Sequence, residues 1–124
     1  MKKVIATTDA PKAVGPYSQA ILVNGTLYIS GQIPVNPADG TVPADIASQA
    51  HQSLKNIGAI LKAAGMGYEN VVKTTVLLAD IADFKAVNAI YAEYFPQDCP
   101  ARSCVEVAAL PAGGLVEVEA IAVK

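Results

Sequence analysis

Asn24-Gly25 stands between two β-forming tetrapeptides, Ala20-Ile21-Leu22-Val23 and Thr26-Leu27-Tyr28-Ile29. Asn and Gly accept the positive φ angles of a type I′ turn, whose twist suits two antiparallel strands, so a hairpin is predicted here. A lone hairpin is marginal in water and needs further strands and a packed face. The rest of the chain supplies both. Lys3–Ala6 reads as a short first strand. Val71-Val72-Lys73-Thr74-Thr75-Val76-Leu77-Leu78, within a strand predicted over 70–78, is β-branched and apolar on both faces, the pattern of a central strand. Residues 103–107 and 116–123 read as two more strands, the last with clear alternation.

Only two stretches carry a helical period. Over 44–64, Ile46, Ala50, Leu54, Ile57, Leu61 and Ala64 step by three or four and share one face, and Gly65 is placed to end the helix in a left-handed conformation. Asp80 is suited to cap a second helix, with Asp83 in its first turn. Phe84, Val87, Tyr91, Tyr94 and Phe95 are predicted to face inward until Pro96 and Pro100 stop it. Residues 9–18 read as a loop, and Ser30-Gly31 as the end of the second hairpin strand. The Pro- and Gly-rich stretch that follows, up to Pro43, reads as another loop. The order is β, ββ, α, β, α, β, β: one α/β domain over 1–124, of the α+β kind, with about six strands. Two helices cover only one face of such a sheet. With 124 residues, 52% apolar, only 16% charged and a mean hydropathy of +0.36, the chain has more apolar side chain than a domain of this size hides. The other face is therefore expected to lie against another subunit.

Several function classes are disfavoured. No apolar run approaches the ~20 residues that span a bilayer. Lys2-Lys3 is followed within a few residues by Thr7-Thr8-Asp9 rather than an apolar core, so a cytoplasmic location is expected. The net charge is −2, the pI about 5.2, and no basic cluster exists beyond Lys2-Lys3, which argues against nucleic acid as a partner. A lone histidine, His51, predicted to be solvated, and two cysteines, Cys99 and Cys104, five positions apart, argue against a transition-metal site or a disulfide framework. No Gly-rich phosphate cradle runs from a strand into a helix. No metal or cofactor is expected.

Arg102 is the chain's only arginine, against eight lysines. A planar, always-charged fork captures a carboxylate bidentately, which lysine cannot do. Arg102 sits where a proline-bounded loop enters a strand, a position that serves either an anion anchor or a structural ion pair. The last strand offers a partner. Glu117 and Glu119 interrupt an apolar strand and share one face with Ile121 and Val123, whereas Val116, Val118, Ala120 and Ala122 form the face expected to meet the helices. If the connection centres near Leu110, antiparallel pairing sets Arg102 opposite Glu117. Parity does not choose between the two glutamates. An arginine and a glutamate in a dry crevice would make an anion anchor and an acid/base group. Tyr17, in the Gly15-Pro16-Tyr17-Ser18 turn, is placed either to cap a pocket or to pack. Ser30 and Gly31, at a strand end, leave backbone groups for a ligand. Asn88 falls on the buried side of its helix, where an amide needs partners. Cys104 lies beside Arg102 as a reactive or a packing thiol.

Five segments together resemble the Rid/YjgF family of reactive-intermediate deaminases: Ala13-Val14-Gly15-Pro16-Tyr17-Ser18-Gln19-Ala20, Ser30-Gly31-Gln32-Ile33-Pro34, Val87-Asn88-Ala89-Ile90-Tyr91, Pro100-Ala101-Arg102-Ser103-Cys104-Val105-Glu106-Val107 and Val118-Glu119-Ala120-Ile121-Ala122-Val123. The resemblance implies a chorismate-mutase-like fold and a homotrimer with clefts between subunits. It also implies hydrolysis of enamines and imines, released when pyridoxal-phosphate enzymes dehydrate serine or threonine, to 2-oxo acids and ammonia. Carried over, it implies that Arg102 grips the substrate carboxylate, Glu117 activates water and Tyr17 lines the cleft. The Gly31 carbonyl and Cys104 amide would hold the substrate's ends, with Asn88 in support. Branches of the family without the arginine lack this activity. The rival readings are a non-catalytic trimer that binds small carboxylates, and a nuclease or translation inhibitor, against which the acidic pI counts.

Overall fold

In the computed structural model, which describes residues 1–124, the hairpin forms as expected. Strand β2 (Ala20–Val23) turns into β3 (Thr26–Gln32) through Asn24 at φ 49° and Gly25 at φ 78°. Strand β1 (Lys3–Ile5) adds antiparallel to β2. Helix α1 (Ile46–Ala63) starts where the Asp45 side chain accepts the Ser48 N–H, and Gly65, at φ 72°, follows its end. Strand β4 (Val71–Leu78), helix α2 (Phe84–Tyr94), β5 (Ala101–Glu106) and β6 (Val116–Val123) complete the chain. The Asp80 side chain caps a short 3-10 turn, Ile81–Asp83, that leads into α2.

The sheet has six strands in the order β1-β2-β3-β6-β4-β5. Every pairing is antiparallel except β4 with β5. A parallel pair needs a crossover, and α2 is that crossover. It carries β5 to the outer edge of β4, which leaves the other side of β4 open for β6. The predicted pairing of β5 with β6 is therefore wrong. Arg102 lies beside Thr74 and Glu117 beside Leu77, on opposite sides of β4. The expectation assumed that consecutive strands are neighbours, the commoner outcome. Here the open edge of β3 and the open edge of β4 are both satisfied by inserting β6 between them.

Both helices pack on one face, and Leu54, Ile57, Ile60 and Leu61 of α1 share one buried core with Val76, Leu78, Val116, Val118, Ala120 and Ala122 of the sheet. The β6 alternation holds: its even-numbered residues are buried, while Glu117 and Ile121 are half-buried and Glu119 and Val123 exposed. The other face carries Tyr28, Val105 and Val123, each exposed by about 45–50%, beside half-buried Ile21 and Ile121. On α2, Val87, Tyr91 and Phe95 point inward, but Tyr94 is half-buried and Phe84 is 37% exposed, because the 3-10 turn sets Phe84 at the rim. His51 is not solvated as predicted. It is half-buried, its Nδ1 3.0 Å from the Tyr94 hydroxyl. No helix is long and apolar enough to cross a membrane.

Candidate active site

β3 does not stop at Ser30-Gly31 but runs on to Gln32, with a bulge between Ile29 and Gln32 where pairing with β6 slips. The bulge brings Gly31 under Glu117. A Cβ on Gly31 would lie 2.6 Å from Glu117 Oε2 and 2.8 Å from its Cδ, so only glycine leaves room for the carboxylate here. Glu117 is half-buried, and its pKa is raised, first by burial and then by the like charge of Glu119.

The loop that carries Tyr17 is tied to this strand. Ser30 Oγ donates to the Ser18 carbonyl at 2.6 Å, and Ser30 N–H donates to the Gln19 carbonyl at 2.9 Å. Sequence reasoning missed Gln19, a buried amide at the mouth of an apolar strand. Its Nε2 donates to the carbonyls of Thr7 and Pro11, with that of Ala10 at 3.4 Å, and its Oε1 accepts the Thr7 N–H, which ties the N-terminal segment to the loop. Tyr17 stands 50% exposed above it. A hollow of about 480 Å³ opens beside the loop, lined by Tyr17, Ser18, Ser30, Tyr28, Glu119 and Ile121 among others.

Arg102 occupies a second place. It is half-buried on the helix side of edge strand β5, and its Nη1 donates to Asn88 Oδ1 at 2.8 Å. Its Cζ lies 4.8 Å from the centroid of the Tyr91 ring and 5.5 Å from that of Phe84. Its hydrogen-bond partner within the chain is a neutral amide, so the charge is left for a ligand or a neighbour. A hollow of about 400 Å³ runs along it, lined by Asn88, Tyr91, Ala92, Phe95, Cys99, Pro100 and Arg102. Cys104 shares the helix side of β5, packed against the core, and burial pushes its thiol pKa up while Arg102 opposes the shift. A thiol held protonated in this way is a poor nucleophile.

The chain thus gathers its candidates into two groups. Arg102, Asn88 and Cys104 stand on the helix side at the β5 edge. Tyr17, Ser30, Gly31 and Glu117 stand at β3 and β6, with Glu117 on the open face. One chain does not bring the groups together.

Residues 7–124 match the family described as Endoribonuclease L-PSP. The chain belongs to this family, Rid/YjgF. Among Rid/YjgF relatives, a Bos taurus protein named 2-iminobutanoate/2-iminopropanoate deaminase is 58% identical over all of this chain and 91% of its own length. The Escherichia coli K12 protein of the same name is 53% identical over all of this chain and 99% of its own. The crystal structure of the Escherichia coli YjgF gene product superposes with a TM-score of 0.95 at 52% identity, over 98% of both chains. The fold expected from the resemblance is therefore the one observed.

Proposed function

We propose that this protein hydrolyses 2-imino and enamine acids, such as 2-iminopropanoate and 2-iminobutanoate, to 2-oxo acids and ammonia. The observation that carries this reading is identity of 53–58% to deaminases of that name across the whole chain. The geometry supports it, because an unneutralised guanidinium and a half-buried carboxylate of raised pKa are the groups such a reaction uses. Arg102 clamps the substrate carboxylate. Water attacks C2 of the iminium, and Glu117 takes its proton, forming a carbinolamine. Glu117 returns the proton to nitrogen, the C–N bond breaks as the hydroxyl proton passes back to Glu117, and ammonia leaves a 2-oxo acid, carrying that proton away as ammonium. The iminium carbon is already electrophilic, so positioning and one acid/base group suffice without metal or cofactor. Tyr17 walls the cleft, the Gly31 carbonyl accepts from the substrate nitrogen, and Ser30 fastens the Tyr17 loop. The Cys104 amide supports the carboxylate. In this reading the enzyme works in the cytoplasm. A net charge of −2 disfavours a nucleic-acid partner.

The two groups stand on opposite faces of one sheet, so the site is composite in this reading. The apolar open face packs in a homotrimer, and Arg102 of one subunit meets Glu117 of the next. Mixing inactive Arg102→Lys and Glu117→Gln chains in equal amounts by unfolding and refolding is expected to restore roughly a quarter of wild-type ammonia release, since random assembly leaves that share of intact clefts. A trimeric mass in light scattering accompanies it. No restoration in a trimeric mixture would overturn the pairing of Arg102 with a neighbour's Glu117. Pyruvate binding without ammonia release would make the protein a carboxylate-binding trimer instead.

Gly31→Ala tests the carboxylate's seat. It is expected to fold, because Gly31 lies outside the positive-φ residues. The new methyl group displaces Glu117, and kcat falls roughly 100-fold, as a 1 Å misplacement can cost. Initial rates at saturating substrate, with the thermal midpoint as control, check this.

A further inference from the structure

One face of α2 lies against Arg102. Phe84, Asn88 and Tyr91 are spaced by four and three, so they share one face of α2. Asn88 takes one N–H of the guanidinium, whose Cζ lies over the rings of Tyr91 and Phe84. These are separate resources of the same group. A π contact uses the face, while carboxylate recognition uses the N–H donors on the edges, so ring and substrate do not compete.

Tyr91 is itself held still. It is 6% exposed, its ring packs against Phe95 at a centroid distance of 4.7 Å, and its hydroxyl lies 2.7 Å from Thr74 Oγ1. Thr74 is 1% exposed and is the β4 residue paired with Arg102. The strand that fixes the Arg102 backbone thus also fixes the ring beneath its guanidinium.

We infer that Tyr91 is a positioning residue for the substrate carboxylate, with Phe84 as the outer half of the same seat. The two rings hold the Arg102 fork in its binding orientation before substrate arrives. Arginine has among the largest rotamer freedoms of any side chain, and ordering it in the free enzyme removes that cost from binding. The inference rests on the proposed deaminase reading, in which Arg102 is the carboxylate anchor.

Tyr91→Phe and Tyr91→Leu test it, with imino acid generated in the cuvette by an amino-acid oxidase. Leucine removes the ring, and KM is expected to rise about tenfold with kcat changed much less, the ~1.4 kcal/mol of a partly desolvated cation–π contact. Phenylalanine keeps the ring and returns KM to within about threefold of wild type, although it loses the bond to Thr74. A second readout needs no turnover. Arg102 is the chain's one arginine, so phenylglyoxal modification, read by mass on its peptide, reports that guanidinium alone. The modification rate is expected to rise severalfold in Tyr91→Leu and to stay near wild type in Tyr91→Phe. If Tyr91→Leu does not fold, Phe84→Leu, at a 37% exposed position, is expected to show a smaller rise in both quantities. A folded leucine variant with wild-type KM and wild-type reactivity would overturn the inference. A wild-type protein that releases no ammonia would overturn the deaminase reading, and the reactivity series would still decide whether the rings hold the fork.

Discussion

Arg102→Lys is expected to lower kcat/KM for 2-iminopropanoate about 100-fold, some 2.7 kcal/mol of transition-state stabilisation. The loss is geometric rather than electrostatic, since charge is kept. Lysine presents a point charge and cannot offer parallel N–H donors to both carboxylate oxygens. It also forfeits the guanidinium that lies over Tyr91 and Phe84. Fold stability should barely change, because the side chain is half-buried at an edge strand and its hydrogen bond goes to Asn88 alone. The check is the steady-state rate of 2-oxo acid formation, with light scattering to show unchanged assembly. Kinetics near wild type would remove bidentate recognition from the mechanism.

Glu117→Gln is expected to lower kcat about 1000-fold while KM changes little, the size of effect that removing a positioned acid/base group produces. Glutamine keeps the shape above Gly31 but cannot take a proton. The pH profile carries the same information in the wild type. Glu117 must be ionised to accept the proton from water, so activity falls as pH falls through its pKa. Burial and Glu119 both raise that pKa. The acid limb of kcat/KM therefore lies above the ordinary carboxylate range. Glu119→Gln removes the like charge, lowers the Glu117 pKa and moves the limb to lower pH. An acid limb that survives unchanged in Glu117→Gln would assign it to another group.

The alternation of β6 told from the chain alone that Glu117 and Glu119 share the face away from the helices, because side chains in a strand alternate whatever the neighbour. The lone arginine marked Arg102 without any structure. The side of the sheet that Arg102 occupies was not legible, because it depends on which strand lies beside β5. Gly31 read as a strand end rather than as a floor under Glu117, since the bulge that brings them together is set by pairing with β6, 86 residues further on. Phe84 and Tyr91 read as core. The i, i+4, i+7 spacing with Asn88 was visible, but nothing in it says that a guanidinium lies there.

Local periodicity alone thus determined the strands, the two helices, the hairpin turn and the exposed face of β6, because each depends on torsions and burial within a few residues. The tertiary structure alone decided the strand order. Inserting β6 between β3 and β4 satisfies two open edges at once, an outcome of long-range pairing that no short window contains. That insertion is why Arg102 and Glu117, expected side by side, stand on opposite sides of β4.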